Sequence, residues 1–323
     1  MTFGSDTHWV WDFWIADDGE TFHVYYLHAP KSLGDPELRH RNARIGHATS
    51  SDLVRWTDYG EVVAPGAAGS FDETATWTGS VVRGDDGLWR MFYTGASFSS
   101  PDDASNVETV GMATSTDLYT WTKDPSAVVR ADADFYEKLG DSAWPEEAWR
   151  DPWVFRDASG DGWHMLVTAR SKGSTATSGG VIGHAWSPDL VSWTVRPPLG
   201  VPATTFPHLE VLQIADVGGE PILVFSGPRF ADRGASASSG VWAVRWPAFP
   251  DPIRVEDAEL IAAAPFYAGR VVQDRAGMPV LLAFLGFTGA EFGGIISDPM
   301  PLEGLLRDAG GPSFVQSTRL PPG

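Results

Sequence analysis

The chain has 323 residues, 43% of them hydrophobic, with 15 Trp, 17 Phe, no cysteine and a formal net charge of −19. The lack of cysteine excludes disulfides, thiolate zinc sites and thiol catalysis, and the acidic balance argues against nucleic acid or an anionic membrane surface, both of which want basic patches. The start, MTFGSDTHWV, has no basic stretch leading into an apolar run, and no apolar stretch is long enough to span a bilayer, so a cytoplasmic protein is expected, or a secreted one if a leader has been removed.

The first segment, HWVWDFWIADDGETFHVYYL (8–27), reads as a strand, an Asp/Gly turn and a second strand. DPELRHRN (35–42) is sufficient for a turn or two of helix, and IGHATSSDLVRWT (45–57) reads as a third strand running into a turn. The same order returns with TWTGSVVRGDDGLWRMFYTG (76–95) and VGMATSTDLYTWT (110–122). The acidic stretch from Asp124 to Trp149 is expected to line a funnel mouth, and DFYEKLGD (134–141) within it is, like DPELRHRN, sufficient for a turn or two of helix. A third unit follows with AWRDPWVFRDASGDGWHMLV (148–167) and VIGHAWSPDLVSWT (181–194), joined by the Gly-rich surface loop GSTATSGG (173–180). HLEVLQIADVGGEPILVFSG (208–227) and FYAGRVVQDRAGMPVLLAFLG (266–286) open the fourth and fifth units, whose later segments, SGVWAVRWPAF (239–249) and FGGIISDPMPL (292–302), keep only traces of the turn.

Aligning the five openings matches Asp12, Gly79, Asp151, Glu210 and Gly269, separated by 67, 72, 59 and 59 residues. A strand-rich repeat of that period signals a radial array. The expected fold is all-β: a five-bladed β-propeller of four-stranded antiparallel blades around a central funnel, one domain over residues 1–323. In the recurring S-x-D-L-x-x-W segment, Asp52, Asp117 and Asp189 read as turn or capping residues and the Trp as packing between blades.

Three of the five openings place a carboxylate where an inner strand faces the funnel. Asp12 sits between aromatics in VWDFW, Asp151 follows Arg150 in WRDPW, and Glu210 is a lone acid in an apolar strand. Buried acids are rarely tolerated without a partner or a role. Cleaving a glycosidic bond needs one carboxyl to protonate the leaving oxygen and another to attack the anomeric carbon or activate water. A third acid would hold the sugar or tune a neighbour. The acids Asp17, Asp18, Asp85, Asp86, Asp157 and Asp161 belong to turns and are given no chemistry.

VWDFW, TWTGSVV, WRDPWVF and HLEVLQ, in that order, resemble the five-bladed propeller glycosidases of glycoside hydrolase families 32 and 68, the invertase, levanase and levansucrase group. IGHATSSDLVRW looks like the invertase-side segment and VWD-x-W like the levansucrase side. The resemblance implies cleavage of a fructofuranoside, by hydrolysis or transfer, with a retaining double displacement. It implies Asp12 as nucleophile, ionised at the start of the cycle, Glu210 as acid/base, protonated at the start, and Asp151 as transition-state stabiliser. Trp11, Trp77, Ser80 and Arg150 match substrate-contacting positions, and His208, two residues before Glu210 on the same strand face, joins them as a site candidate. Val211 stands where family 32 usually has Cys and family 68 Arg, which marks an outlying branch. Family 43, on a similar fold, supplies the alternative of an inverting arabinofuranosidase or xylosidase with Asp12 as base. A propeller that binds carbohydrate without cleaving it is the third reading.

The expected partner is a carbohydrate, with no nucleic acid, no membrane, no cofactor and no metal; the eight histidines show no zinc spacing. His47 and His184 occupy equivalent G-H-A positions and read as structural, while Glu291 in FTGAEFGG receives no role.

Overall fold

The computed structural model describes residues 2–100, 103–230, 237–247, 253–303 and 306. The five units fold as the five blades of a β-propeller. Blade one runs outward through His8–Asp17, Phe22–Pro30, Arg44–Ser50 and Thr57–Val63, each strand antiparallel to the last. Blade two (Ala75–Arg83, Trp89–Phe98, Asn106–Ser115, Thr122–Val129) adds the two-residue strand Glu146–Glu147, parallel to Asn106–Ser115. Blade three comprises Trp149–Arg156, Trp163–Thr175, Ser178–Ser187 and Thr194–Leu199; blade four comprises Glu210–Val217, Glu220–Arg229, Ser238–Arg245 and Glu259–Ala263. Of the fourth unit's SGVWAVRWPAF, Ala248 and Phe249 lie outside the described residues.

Blade five departs from the pattern. Its inner strands Phe266–Gln273 and Pro279–Thr288 are followed by Glu291–Ile296, and the short Met300–Pro301 pairs with the same middle strand further along. On the outer side of Ile296 lies Phe3, bonded in both directions at 3.0 and 2.7 Å. The first residues are thereby tied to the last blade, and the inner strands of blades one and five are neighbours, so the ring closes.

Buried apolar residues form five clusters, each centred on a gap between adjacent blades. Trp14, Tyr25 and Tyr93 fill the gap between blades one and two, and Trp149, Met165 and Val110 the next. Leu209, Phe225 and Trp242 lie between blades three and four, Val241 and Leu281 between four and five, and Phe13 and Leu282 between five and one. Each wholly buried aromatic or large aliphatic side chain contributes about 2–3 kcal/mol through burial. The expected turn role of the S-x-D-L segment is seen directly: Asp52 Oδ1 accepts the N–H groups of Val54 and Arg55 at 3.0 and 2.8 Å, and Trp56, Trp121 and Trp193 pack against the inter-blade clusters.

DPELRHRN forms a 3-10 helix over Pro36–Asn42, capped by Asp35, whose side chain accepts the Glu37 N–H. The Asp124–Trp149 stretch is not one funnel-lining loop. Its start belongs to the outermost strand of blade two, and of the whole stretch Glu146 is the residue that reaches the central cavity.

Candidate active site

Every inner strand carries a β-bulge at the same height. The pairing register slips by one residue between Trp11 and Phe13, Trp77 and Gly79, Arg150 and Trp153, Glu210 and Gln213, and Tyr267 and Arg270. Bulges bend a strand and re-aim its side chains. Four of the extra residues sit at positive φ: Asp12 (20°), Asp151 (58°), Val211 (54°) and Ala268 (48°). None is glycine, and such conformations cost on the order of 1–3 kcal/mol each.

The bulges correct the register read from sequence. The residues just before the slip, Trp11, Trp77, Arg150, Glu210 and Tyr267, are equivalent, and all five line one central cavity of about 630 Å³. Asp12 and Asp151 occupy the next position, within the bulge. Glu210 is therefore equivalent to Arg150, not to the two aspartates, and the positions matching Asp12 in blades two, four and five are Thr78, Val211 and Ala268, each one residue away from the expected Gly79, Glu210 and Gly269. An extra residue in a strand leaves the apolar pattern on either side intact, so the pattern alone does not locate it.

Asp12, Asp151 and Glu210 converge on the cavity. Asp12 Oδ2 accepts from Thr78 Oγ1 at 3.0 Å. Asp151 Oδ2 accepts from Thr168 Oγ1 at 2.8 Å and from the Val211 N–H at 3.2 Å, a contact made from Val211's left-handed backbone. Glu210 Oε1 accepts from Arg150 Nη2 at 2.7 Å, and its Oε2 accepts from the Tyr267 hydroxyl. Arg150 is the hub: Nη1 also donates to Glu108 at 3.0 and 3.1 Å and to Glu146 at 3.2 Å, and Nε lies 3.7 Å from Asp151.

These neighbours set the protonation states apart. Burial pushes Asp12 up to about 7, aided by the charges of Asp151 and Glu210 and opposed by Thr78 and Arg39. Burial also acts to raise Glu210, but His208, Arg150 and the Tyr267 hydroxyl outweigh it and hold the carboxyl down at about 2. Burial raises Asp151 despite the pull of Arg150. The surroundings thus push Asp12 toward its protonated form and Glu210 toward its ionised form, because His208, Arg150 and Tyr267 converge on Glu210 while Asp12 faces two other acids.

The other sequence candidates are distributed differently. Trp11, Trp77 and Arg150 line the cavity. Ser80 is buried between blades two and three, where its Oγ accepts the Val154 N–H at 3.1 Å, and it is not among the lining residues. His208 lies behind Glu210, Nε2 to Oε2 3.6 Å, with its ring edge-on to Trp144. Burial is the main reason its imidazole is held below the usual histidine range. His47 and His184 are buried as expected, each stacked on a second histidine, His23 or His164, that reaches the turn acid Asp18 or Asp157.

Several site residues escaped the sequence reading. Arg39, on the 3-10 helix, lines the cavity with its guanidinium over Phe292 (4.4 Å) and Trp11 (5.7 Å). Arg270 lies fully buried, donating to the backbone oxygens of Phe13 and Leu212 at 3.0 and 2.9 Å. Burial brings it down to about 10, while Asp151 and Asp12 support its charge. Tyr267 had a signal, since it stands at the blade-five equivalent of Glu210 once the bulge is counted. Arg39, Glu108 and Glu146 had none, because they come from outside the inner strands. No group of three or more His, Cys, Asp or Glu that would hold a metal ion occurs among the described residues, and no helix is long and apolar enough to cross a membrane.

A family model described as the glycosyl hydrolases family 32 N-terminal domain matches residues 14–292, beginning two residues after Asp12. A sucrose-6-phosphate hydrolase of Escherichia coli is 31% identical over 168 residues, which is 50% of this chain and 29% of the relative. Under a third of that curated relative is therefore covered. Among solved structures, an inulosucrase from Halalkalicoccus jeotgali bound to kestose superposes with TM-score 0.71 at 20% identity, covering 92% of this chain and 86% of the other. A GH32 beta-fructofuranosidase of Bombyx mori superposes with TM-score 0.65 at 18% identity, over 92% and 61% of the two chains.

Proposed function

Because the chain belongs to glycosyl hydrolase family 32, we propose that it cleaves a fructofuranosidic bond, with Asp12, Glu210 and Asp151 as its catalytic residues. The observation that carries this is the convergence of the three acids on one cavity, with the environments of Asp12 and Glu210 pushed to opposite extremes.

Asp12 is the nucleophile. Thr78 engages Oδ2, and Oδ1 makes no protein hydrogen bond among the described residues, which leaves it for the anomeric carbon. As the Oδ1–carbon bond forms, the glycosidic oxygen departs with the proton of Glu210. Water, deprotonated by the Glu210 carboxylate, then displaces Asp12 and restores both groups. A sugar hydroxyl in place of water gives transfer. Asp151, held by Thr168 and Val211, grips hydroxyls of the fructosyl ring and stabilises the positive charge that develops there. The surroundings raise Asp12 and lower Glu210, drawing the pair's proton toward Asp12, whereas the productive form carries it on Glu210. That form is the minor one in the free site, so the pH dependence belongs to the pair rather than to either residue. Trp11, Trp77 and Tyr267 supply flat faces for the sugar. Leaving groups carrying phosphate belong in the substrate panel, since Arg39 and Arg41 both border the cavity.

The test is a proton NMR time course with sucrose, sucrose 6-phosphate, kestose and an arabinofuranoside. The expected outcome is release or transfer of fructose with retained anomeric configuration. Release of arabinose alone would show a different sugar class, and inversion would make Asp12 a base acting on water.

A further inference from the structure

Glu108 lies in the third strand of blade two, Asn106–Ser115, and is 0% exposed. It does not border the cavity and has no route to a substrate. Yet both its oxygens are committed to the site: Oε1 and Oε2 accept from Arg150 Nη1 at 3.0 and 3.1 Å, and Oε2 also accepts the Trp149 N–H at 3.0 Å. Trp149 opens the inner strand of blade three, so Glu108 anchors both the backbone entering that strand and the side chain that follows.

The other edge of the same guanidinium is the grip on Glu210, with Nη2 to Oε1 at 2.7 Å. One cation thus spans three consecutive blades, from Glu108 in blade two through Arg150 in blade three to Glu210 in blade four. The charged and titratable groups around it are Glu108, Glu146 and Asp151 on its own side, and Glu210 with its neighbours His208, Tyr267 and Asp12 across the cavity. Four carboxyl groups face one guanidinium; burial pushes Glu108 up to about 8 against the pull of Arg150 and the Trp149 N–H, and each group that is ionised dilutes the guanidinium's pull on the others. Remove the one behind it, and the guanidinium's charge falls more fully on Glu210, favouring the ionised form that is unable to donate a proton.

We propose that Glu108 is a positioning residue for the acid/base step: by holding Arg150 from behind, it sets the aim and strength of the guanidinium's pull on Glu210, and so how readily Glu210 delivers its proton to the leaving oxygen. The inference rests on the reading of Glu210 as acid/base. It differs from a purely structural ion pair, whose loss costs stability and slows every substrate alike.

The separating experiment compares Glu108→Gln and Glu108→Asp with wild type on two substrates, sucrose, whose leaving oxygen needs a proton, and fructosyl fluoride, whose leaving group needs little. For Glu108→Gln, kcat/KM on sucrose is expected to fall ~30-fold or more, within the range of general acid catalysis, and on the fluoride by no more than about threefold. The alkaline limb of kcat/KM moves to lower pH, because the variant lacks the negative charge that Glu108 takes on as pH rises through about 8. Glu108→Asp keeps that charge and recovers part of both effects. Equal losses on the two substrates, or an unmoved pH profile, overturn the proposal. If Glu108→Gln fails to fold by circular dichroism, Glu108→Asp decides alone: a loss confined to sucrose supports the proposal and an even loss overturns it. A wild type silent on both substrates overturns the fructosidase reading beneath it, whereas an active wild type matched by both variants overturns only the role of Glu108.

Discussion

The propeller repeats acids in two places and treats them in opposite ways. In the outer turns, Asp52, Asp117 and Asp189 each receive two backbone N–H groups at 2.7–3.0 Å and a serine hydroxyl at 3.0–3.1 Å. Those N–H groups hold all three carboxyls below the usual range. At the cavity, Asp12 has a single threonine hydroxyl and faces two other acids, and burial drives it up. The residue type is the same. What differs is whether donors or like charges converge on it, and that decides whether an acid ties down a turn or is left able to exchange a proton or a bond.

The sharpest way to break the comparison is to neutralise one acid of each kind. Asp12→Asn is expected to lower kcat by at least about 10⁴-fold with an unchanged or higher melting temperature, since it replaces a buried titratable carboxyl by a neutral amide of the same volume; a variant retaining a few per cent of activity would remove Asp12 from the mechanism. The pH dependence sharpens the same contrast. Above about pH 7 Asp12 and Glu210 lose their shared proton, so kcat/KM should decline roughly tenfold per pH unit there. A profile flat to pH 9 contradicts the raised state of Asp12.

Smaller effects concern stability. Burial lowers His47 and His184 to about 4, in each case helped by the neighbouring histidine. The folded state resists protons that the unfolded chain accepts below its ordinary value of about 6.5. Stability is therefore complete above that value and is lost as pH falls toward 4, by up to a few kcal/mol per histidine. Thermal melts between pH 7 and pH 4 should show the decline, and His184→Gln should flatten it; an equal slope in that variant places the acid lability elsewhere. The smallest effect is Asp117→Ala, which frees two N–H groups in an exposed turn and should cost about 1 kcal/mol while leaving kcat and KM unchanged. A rate loss in that variant would mean that outer turns and cavity are coupled.

Much of this could be read from the chain before its fold was known. The five-fold period, the hairpin turns and the S-x-D-L-x-x-W corners are local patterns, and local patterns report backbone geometry directly. The chain order of VWDFW, WRDPW and HLEVLQ also singled out the three acids that the cavity brings together. What could not be read was the register within each inner strand. The bulges at Asp12, Thr78, Asp151, Val211 and Ala268 each insert one residue without disturbing the flanking alternation, so Gly79, Glu210 and Gly269 were aligned one position off. Ser80, matched by motif to the sugar, instead ties blade two to blade three.

The sequence by itself determined the number of blades, their strand and turn chemistry, and the identity of the acids. Only the tertiary structure set the opposite directions in which the Asp12 and Glu210 carboxyls are pushed. Asp12 draws its state from Asp151, Glu210, Thr78 and Arg39, and Glu210 from His208, Arg150 and Tyr267, residues contributed by all five blades. Protonation in a low-dielectric cavity follows the sum of all nearby charges and donors. That sum exists only once the ring has closed and put residues far apart in the chain within a few ångströms of one another.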